Sequence, residues 1–390
     1  MDNTIDSAAH NAAQGDWVAR ARALVPMIEA LSPTCDTRCE LPSEVVDALH
    51  EAGLFRLLIP RDRGGAEVDL LTFSEVIETI AQGDGSTAWC LGQNAVSNMT
   101  SAYMPDDEAR IMFRGRRTVL AWGAGLNGEA AEVEGGYRVT GRWAFASGSR
   151  HATWLGGQSP IVAADGSRQL EPNGSPTYRM FVFPKDICRI DSKWDVMGLR
   201  GTGSDSYEIA DVFVPRSHAF LRTSPAPHPG ALYRTPLAAI YPIAFGSVAL
   251  GLAKAMLDAF VEMAGKKTPQ GLRPLRESDA IQSILGHTAT RLGSARANLR
   301  QTIADISGCT LDDDRDIKLR ADTTFATSEA VAVADILYHE SGATAVFAGQ
   351  PFEHRFRDIH AVAQQTQARR ANFELVGKRM LGIDTGPVFF

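Results

Sequence analysis

Tyr137-Arg138-Val139-Thr140-Gly141-Arg142-Trp143-Ala144-Phe145-Ala146-Ser147-Gly148-Ser149-Arg150-His151-Ala152-Thr153-Trp154-Leu155-Gly156-Gly157-Gln158-Ser159 is the stretch that decides the fold. Tyr137, Val139, Trp143 and Phe145 alternate with smaller or polar neighbours, the period-2 pattern of a β-strand, and residues 152–156 supply a second strand almost at once. On this spacing Trp143 and Phe145 share one strand face, which runs into Ala146-Ser147-Gly148. An apolar surface with a hydroxyl at its rim suits a planar heterocycle, because aromatic faces stack and a Ser hydroxyl both donates and accepts. The same pattern fits an ordinary sandwich strand whose aromatics fill a core, and spacing by itself leaves both readings open.

Outward from this stretch the texture changes twice. On the N-terminal side, Trp17, Ala21, Leu24, Ile28 and Leu31 recur at helical spacing, with Ser32-Pro33 expected to end that helix. Ser43, then Phe73 to Ile80, then Ser86 as an N-cap, and finally the acidic turn Asp106-Asp107-Glu108 mark four more helices. Residues 1–117 therefore read as a helical domain. Residues 118–224 read as a small β domain with strands at 119–122, 137–145, 152–156, 178–183, 187–190 and 207–214, and Gly135-Gly136 as the clearest hairpin signal. Past the proline-rich linker at 225–229, Ala-rich apolar stripes at 237–265, 277–306, 318–341 and 359–381 predict a four-helix bundle, so the third domain is 225–390.

Composition removes several classes. With 44% hydrophobic and 22% charged residues in 390, the chain has material for a large core. A net charge of −7 and the lack of any Lys/Arg block argue against nucleic acid. No apolar run is read as reaching the roughly 18 residues of a membrane span, and the N-terminus lacks a basic segment followed by an apolar one, so the expected compartment is the cytoplasm. Five scattered cysteines, with Cys35 and Cys39 close but no second pair or His to complete a zinc set, predict reduced thiols and no metal. The glycines of 198–203 open no helix after a strand, which excludes a dinucleotide loop.

Gly141-Arg142-Trp143-Ala144-Phe145-Ala146-Ser147-Gly148 resembles the flavin-facing strand of the acyl-CoA dehydrogenase superfamily, and in this form is more similar to the flavin-dependent monooxygenases that share the fold. Asp211-Val212-Phe213-Val214-Pro215 matches the superfamily as well, as does the order helical, β, helical. The resemblance implies an α+β fold with an N-terminal helical domain, a small central β-barrel or sandwich and a C-terminal four-helix bundle. It implies reduced FMN or FAD from a separate reductase, O2 as co-substrate, a small aromatic or heterocyclic substrate, and a homotetramer with flavin near a subunit boundary. It also implies roles: Ser147 at flavin N5, Trp143 and Phe145 with Ala146 and Gly148 along the ring, Trp122 and Gly123 at its edge, and Trp89, Gln93, Asn94 and Asn98 toward substrate. Asn and Gln on that helix also fit a purely structural role, bonding local backbone.

A dehydrogenase of this fold needs a carboxylate base, which the superfamily places either early in the bundle or late in its last region. No Asp or Glu occurs at 237–257 or at 359–373. The related monooxygenases carry two His in Arg-Asp-x-His-Ala-x-x-x-x-His; this chain keeps His360 and has Gln365 at the second place. Gln cannot take a proton. His360 is then the candidate base, or simply a helix histidine bonded to a nearby carboxylate. The alternatives are an acyl-CoA dehydrogenase with a displaced base and a flavin-binding homologue without turnover.

Overall fold

The structure, a computed structural model, describes residues 3–125, 128–163, 165–171 and 174–385, with side chains from Trp17 onward. Helix α1 (Asn3–Arg38) runs straight through Pro26 and Pro33, so the expected stop at Ser32-Pro33 does not occur. A proline inside a helix removes one backbone bond and costs about 3 kcal/mol. The last turn is held from outside. Arg357 grips the Asp36 carboxylate with both terminal nitrogens (3.2 and 3.1 Å), Arg200 donates to the Asp36 carbonyl (3.0 Å), and Ser32 donates to Asp84 (2.8 Å).

Helices α2 (Ser43–Glu51), α3 (Leu70–Ala81), α4 (Gly85–Asn98) and α5 (Asp106–Met112) complete the N-terminal part. Asp84, not Ser86, caps α4: its carboxylate accepts from the Thr87 N–H at 2.6 Å and places Ser86 inside the first turn.

The central sheet comprises β1 (Leu120–Gly123), β2 (Gly128–Val133), β3 (Gly136–Ala146), β4 (Trp154–Val162), β5 (Tyr178–Pro184), β6 (Arg189–Asp191), β7 (Asp205–Pro215) and β8 (Ala219–Phe220). Its order is β6-β7-β3-β2-β4-β5-β8, with β1 added parallel to β4. β2 and β8 are additional to the strands read from sequence. β2 pairs with β3 through the turn at Gly135-Gly136.

The register of β3 on β7 shifts between Trp143 and Ala146, and Phe145 adopts φ +57° there. This bulge breaks the alternation and puts the two aromatics in different places. Trp143 is fully buried inside the β layer, 5.8 Å from Phe183 and 5.5 Å from Tyr207, and its indole N–H donates to the Gln158 carbonyl (3.0 Å). A Cβ at Gly157 would lie 2.3 Å from that indole, so the glycine is what makes room for it. Phe145 is 59% exposed.

The C-terminal part is α6 (Leu237–Lys266), α7 (Asp279–Ile306), α8 (Asp313–Ser341), α9 (Glu353–Val362) and α10 (Ala371–Met380). The single helix expected at 359–381 is broken by a turn at Thr366–Ala368. The Gln367 carbonyl, which a continuous helix would bond to residue 371, instead accepts from Thr324 (3.0 Å) and Asn372 (3.1 Å) side chains. Helix α6 packs on α3, α4 and α8. By length and hydropathy (1.6 over its most apolar window) it would cross a bilayer, contrary to the sequence reading, yet 89% of that window is buried within the protein. All five cysteines are free.

Candidate active site

Where α4, the β1 end, the β3 bulge, the 194–204 loop, α6 and α9 converge, they enclose a cavity of about 900 Å³. That is room for a tricyclic ring system and a small aromatic beside it. Among the described residues lining it there is no Asp or Glu. A carboxylate base for acyl-CoA oxidation is therefore missing from the lining as well as from the two sequence windows.

Ser147 sits on the cavity wall just past the bulge. Its Oγ accepts from Trp89 Nε1 at 2.9 Å and lies 2.7 Å from Ser204 Oγ; Ser204 lies 2.7 Å from Thr202 Oγ1, which donates to the Leu199 carbonyl at 2.8 Å. The Ser147 main chain is held too, its carbonyl accepting from Asn94 at 3.3 Å. Trp89, Gln93, Trp122, Gly123 and Phe145 also border the cavity, and so do His360 and Gln365. Gly123 offers no free N–H to a ring, because it donates to the Tyr207 hydroxyl (3.1 Å).

Five of the sequence candidates lie elsewhere. Trp143 is in the β core, as described, and Ala146 is fully buried behind the bulge. Gly148 also lies off the lining: its φ of +78° and the Asn94 side chain, 2.4 Å from where a Cβ would be, make glycine obligatory in the turn. Asn94 and Asn98 are fully buried and tie α4 to β1. Asn94 donates to the Leu120 carbonyl (3.2 Å), and Asn98 accepts from the Leu120 N–H (2.9 Å) while donating to Phe55 (2.8 Å). Their amides satisfy backbone at a strand edge, the structural alternative the sequence left open. His151, on the other side of Asn94 at 2.9 Å, is pushed down to about 3 by burial and so stays neutral.

His360 both faces the cavity and bonds a carboxylate, Asp335, at 2.8 Å through Nε2. That leaves Nδ1 as the nitrogen able to accept. Sequence reading missed Tyr241 and Phe245 of α6, Thr202 and Ser204, and Arg222. An i, i+4 aromatic pair in an otherwise Ala-rich helix was the available signal for the first two.

The cavity walls are tied together from behind. Asp84, His354 and Asp358 place their polar atoms within 4.8 Å of one another, with His354 Nε2 3.1 Å from Asp358 and 3.6 Å from Asp84. Asp84 caps α4, while Asp358 on α9 accepts from the Leu199 N–H at 2.6 Å. Three cavity elements thus meet on one charged cluster.

The lining also tests whether a flavin ring fits. Trp122 Nε1, Gln93 Oε1 and Gln367 Oε1 are buried there without a hydrogen-bond partner among the described residues. Buried polar atoms are nearly always bonded, and a ring carrying both N–H and C=O groups supplies the complement.

Along most of its length the chain is similar to known proteins of one kind. The family "Acyl-CoA dehydrogenase, N-terminal domain" matches residues 19–108, and "Acyl-CoA dehydrogenase, C-terminal domain" matches 243–370. The flavin-dependent monooxygenase oxygenase subunit HsaA of Rhodococcus jostii is 30% identical over 88% of this chain and 92% of its own. An indole-3-acetate monooxygenase of Pseudomonas putida is 28% identical over 89% of each chain. In fold, XiaF from Streptomyces sp., solved with FADH2, superposes with a TM-score of 0.91 at 24% identity, covering 99% of this chain and 100% of that one. With no carboxylate among the described residues of the cavity lining, a serine at its rim and this similarity along nearly its whole length, the chain belongs to the oxygenase subunits of flavin-dependent monooxygenases, which use reduced flavin and O2 on an acyl-CoA dehydrogenase fold.

Proposed function

We propose that this oxygenase takes reduced flavin from a separate reductase, holds the flavin N5 edge at Ser147, and hydroxylates or N-oxygenates a small aromatic or heterocyclic substrate. The observation that carries this reading is the direction of the hydroxyl chain. An indole N–H can only donate and a carbonyl can only accept, so with Trp89 at one end and Leu199 at the other every hydroxyl between must point the same way. Thr202 gives its hydrogen to Leu199, Ser204 to Thr202, and Ser147 to Ser204. Ser147 therefore meets the cavity as an acceptor. N5 of reduced flavin bears a hydrogen and N5 of oxidised flavin does not, so this serine favours the reduced form.

When bound, reduced flavin supplies the electrons that activate O2. The chain's own residues do the rest. Trp122, Gly123 and Phe145 border the ring, and Trp89 and Gln93 present α4 to the substrate. His360, oriented by Asp335, offers Nδ1 to a substrate proton, and Gln365 orients the substrate by hydrogen bonds without taking one. The relative that acts on indole-3-acetate supports a heterocyclic substrate.

Ser204→Ala tests the polarity. It frees the Ser147 hydrogen to turn toward the cavity and donate to oxidised N5. One neutral hydrogen bond is worth about 0.5–1.5 kcal/mol, so the ratio of oxidised to reduced flavin Kd should fall about threefold to tenfold. An unchanged ratio, with reduced flavin titrated anaerobically, would remove the hydroxyl chain from the reading.

A homotetramer belongs to the same proposal, on different grounds from the sequence reading. The stripe from Ala244 to Ala255 is used inside the subunit: Ala244 packs opposite Gly92 and Gly251 against the Glu78 carbonyl. Apolar surface is exposed instead at Val346, Phe347, Met380 and Leu381, each at least 66% accessible. Light scattering at 42.1 kDa, the monomer mass, would exclude assembly.

A further inference from the structure

The N-terminal part carries a second cleft, of about 510 Å³, between the end of α2, the turn at 61–65 and the turn that follows α5. Among the described residues none borders both this cleft and the flavin cavity. Six arginines line it, Arg20, Arg56, Arg63, Arg110, Arg114 and Arg116, against two acids, Glu51 and Asp62, in a chain whose net charge is −7. Asp62 is engaged already, 3.2 Å from His228 Nε2.

The fold accounts for two of these cations. Arg56, half-buried, donates to the carbonyls of Arg63 (3.1 Å) and Gly64 (2.9 Å) on one turn and of Phe113 (3.1 Å) and Gly115 (3.3 Å) on the other, which ties the two turns together. Carbonyls satisfy its N–H groups without neutralising its charge. Burial and then Arg116 pull Arg56 below its ordinary value, so the two like charges stand close enough to repel. Arg63 is met by Asp106 and by the Ser101 and Met104 carbonyls, and its buried Nε alone has no acceptor among the described residues.

Arg110, Arg114 and Arg116 are different. All three are exposed, and their side chains make no hydrogen bond or ion pair with a described residue, whereas the adjacent Arg117 pairs with Asp47. The turn that carries Arg114 and Arg116 is nevertheless fixed in place, because its carbonyls are the ones Arg56 holds. Three cations without a structural partner thus face one concave surface whose size suits a small ligand. A carboxylate would offset a single charge there. A diphosphate brings several, on oxygens that guanidinium forks meet in pairs. Trp17 also borders the cleft, with the Arg20 guanidinium 4.5 Å over its ring, and offers a flat edge to a base if the diphosphate belongs to a nucleotide.

We propose that this cleft is a diphosphate-binding site, in which Arg110, Arg114 and Arg116 hold the anion beside the fixed cation of Arg56, apart from the flavin and substrate cavity.

The test uses binding, without turnover. The full-length protein is saturated anaerobically with reduced flavin and titrated calorimetrically with pyrophosphate, with ADP and with acetate, all at one ionic strength. Pyrophosphate should bind about tenfold or more tightly than acetate. Removing two guanidiniums in Arg114→Gln/Arg116→Gln should weaken pyrophosphate about tenfold or more, since hydrogen bonds to charged groups are the strong ones, and should leave the reduced-flavin Kd within about twofold. Arg168→Gln, which removes an exposed charge from the β domain, should change pyrophosphate binding by less than about twofold, because a distant surface charge is screened. ADP that binds more tightly than pyrophosphate supports a nucleotide as the ligand, and equal affinities support the free anion. Pyrophosphate that binds no better than acetate in the unaltered protein overturns the proposal and needs no variant. So does pyrophosphate binding that appears only without flavin, or that Arg114→Gln/Arg116→Gln leaves intact, since the anion would then sit in the flavin cavity or elsewhere on the surface.

Discussion

His354→Gln should cost the protein roughly 3 kcal/mol of stability near pH 7 and almost nothing at pH 10. His354 shares its ring nitrogens between Ser32 Oγ (2.9 Å) and the carboxylates of Asp358 (3.1 Å) and Asp84 (3.6 Å), both fully buried. Burial alone would push this imidazole down, but Asp358, then Asp84 and Asp36, outweigh it and lift it from 6.5 to about 9. Burial also pushes Asp84 upward, with His354 as the first charge opposing it. The Thr87 amide and hydroxyl, both donating to the Asp84 carboxylate, oppose that rise as well, and Ser32 donates to the same group.

At about 1.4 kcal/mol per pH unit, the rise on His354 corresponds to roughly 3 kcal/mol. The side chain is 17% exposed, so solvent screening takes little of this. Because the folded value lies above the unfolded one, the stabilisation is complete below pH 6.5 and is lost as pH climbs through about 9. Urea denaturation of both proteins at pH 6.5, 7.5, 9 and 10 reads the difference directly. A gap that stays the same size from pH 6.5 to 10 would refute the argument, because the loss would then come from packing and not from charge. The gap should be matched by weaker reduced-flavin binding, since Asp358 anchors Leu199 and Leu199 terminates the hydroxyl chain at Ser147.

Ser147→Ala should weaken reduced-flavin binding by no more than about tenfold, one neutral hydrogen bond, while peroxide release rises at the expense of product; unchanged coupling of O2 to product would remove Ser147 from the chemistry. Gly156→Ala would place a Cβ 1.9 Å from the Trp122 ring and 2.8 Å from the Phe181 carbonyl, so the indole must move. Overpacking of this kind costs about 1–3 kcal/mol, and tryptophan fluorescence should shift with it; a variant of undiminished Tm and unshifted emission would show that Trp122 is not held there by the strand.

Periodicity and punctuation are local, and they carried the order of elements: helical segments up to residue 117, short strands with the Gly135-Gly136 turn, then long Ala-rich helices. Residue type was enough to empty both positions for a carboxylate base and to single out Ser147, His360 and Gln365, which the fold then brings to one cavity. What the sequence did not decide depends on partners far away in the chain. The face of Trp143 turns on a register shift against β7, and on Gly157 leaving space for the indole. The end of α1 depends on Arg357 and Arg200 reaching Asp36, and the break after α9 on Thr324 and Asn372 taking a carbonyl from the helix. The direction of the Ser147 hydroxyl is set by Trp89 and Leu199, 58 residues before it and 52 after it. A hydrogen bond has no period along the chain, so only the folded arrangement settles which groups meet.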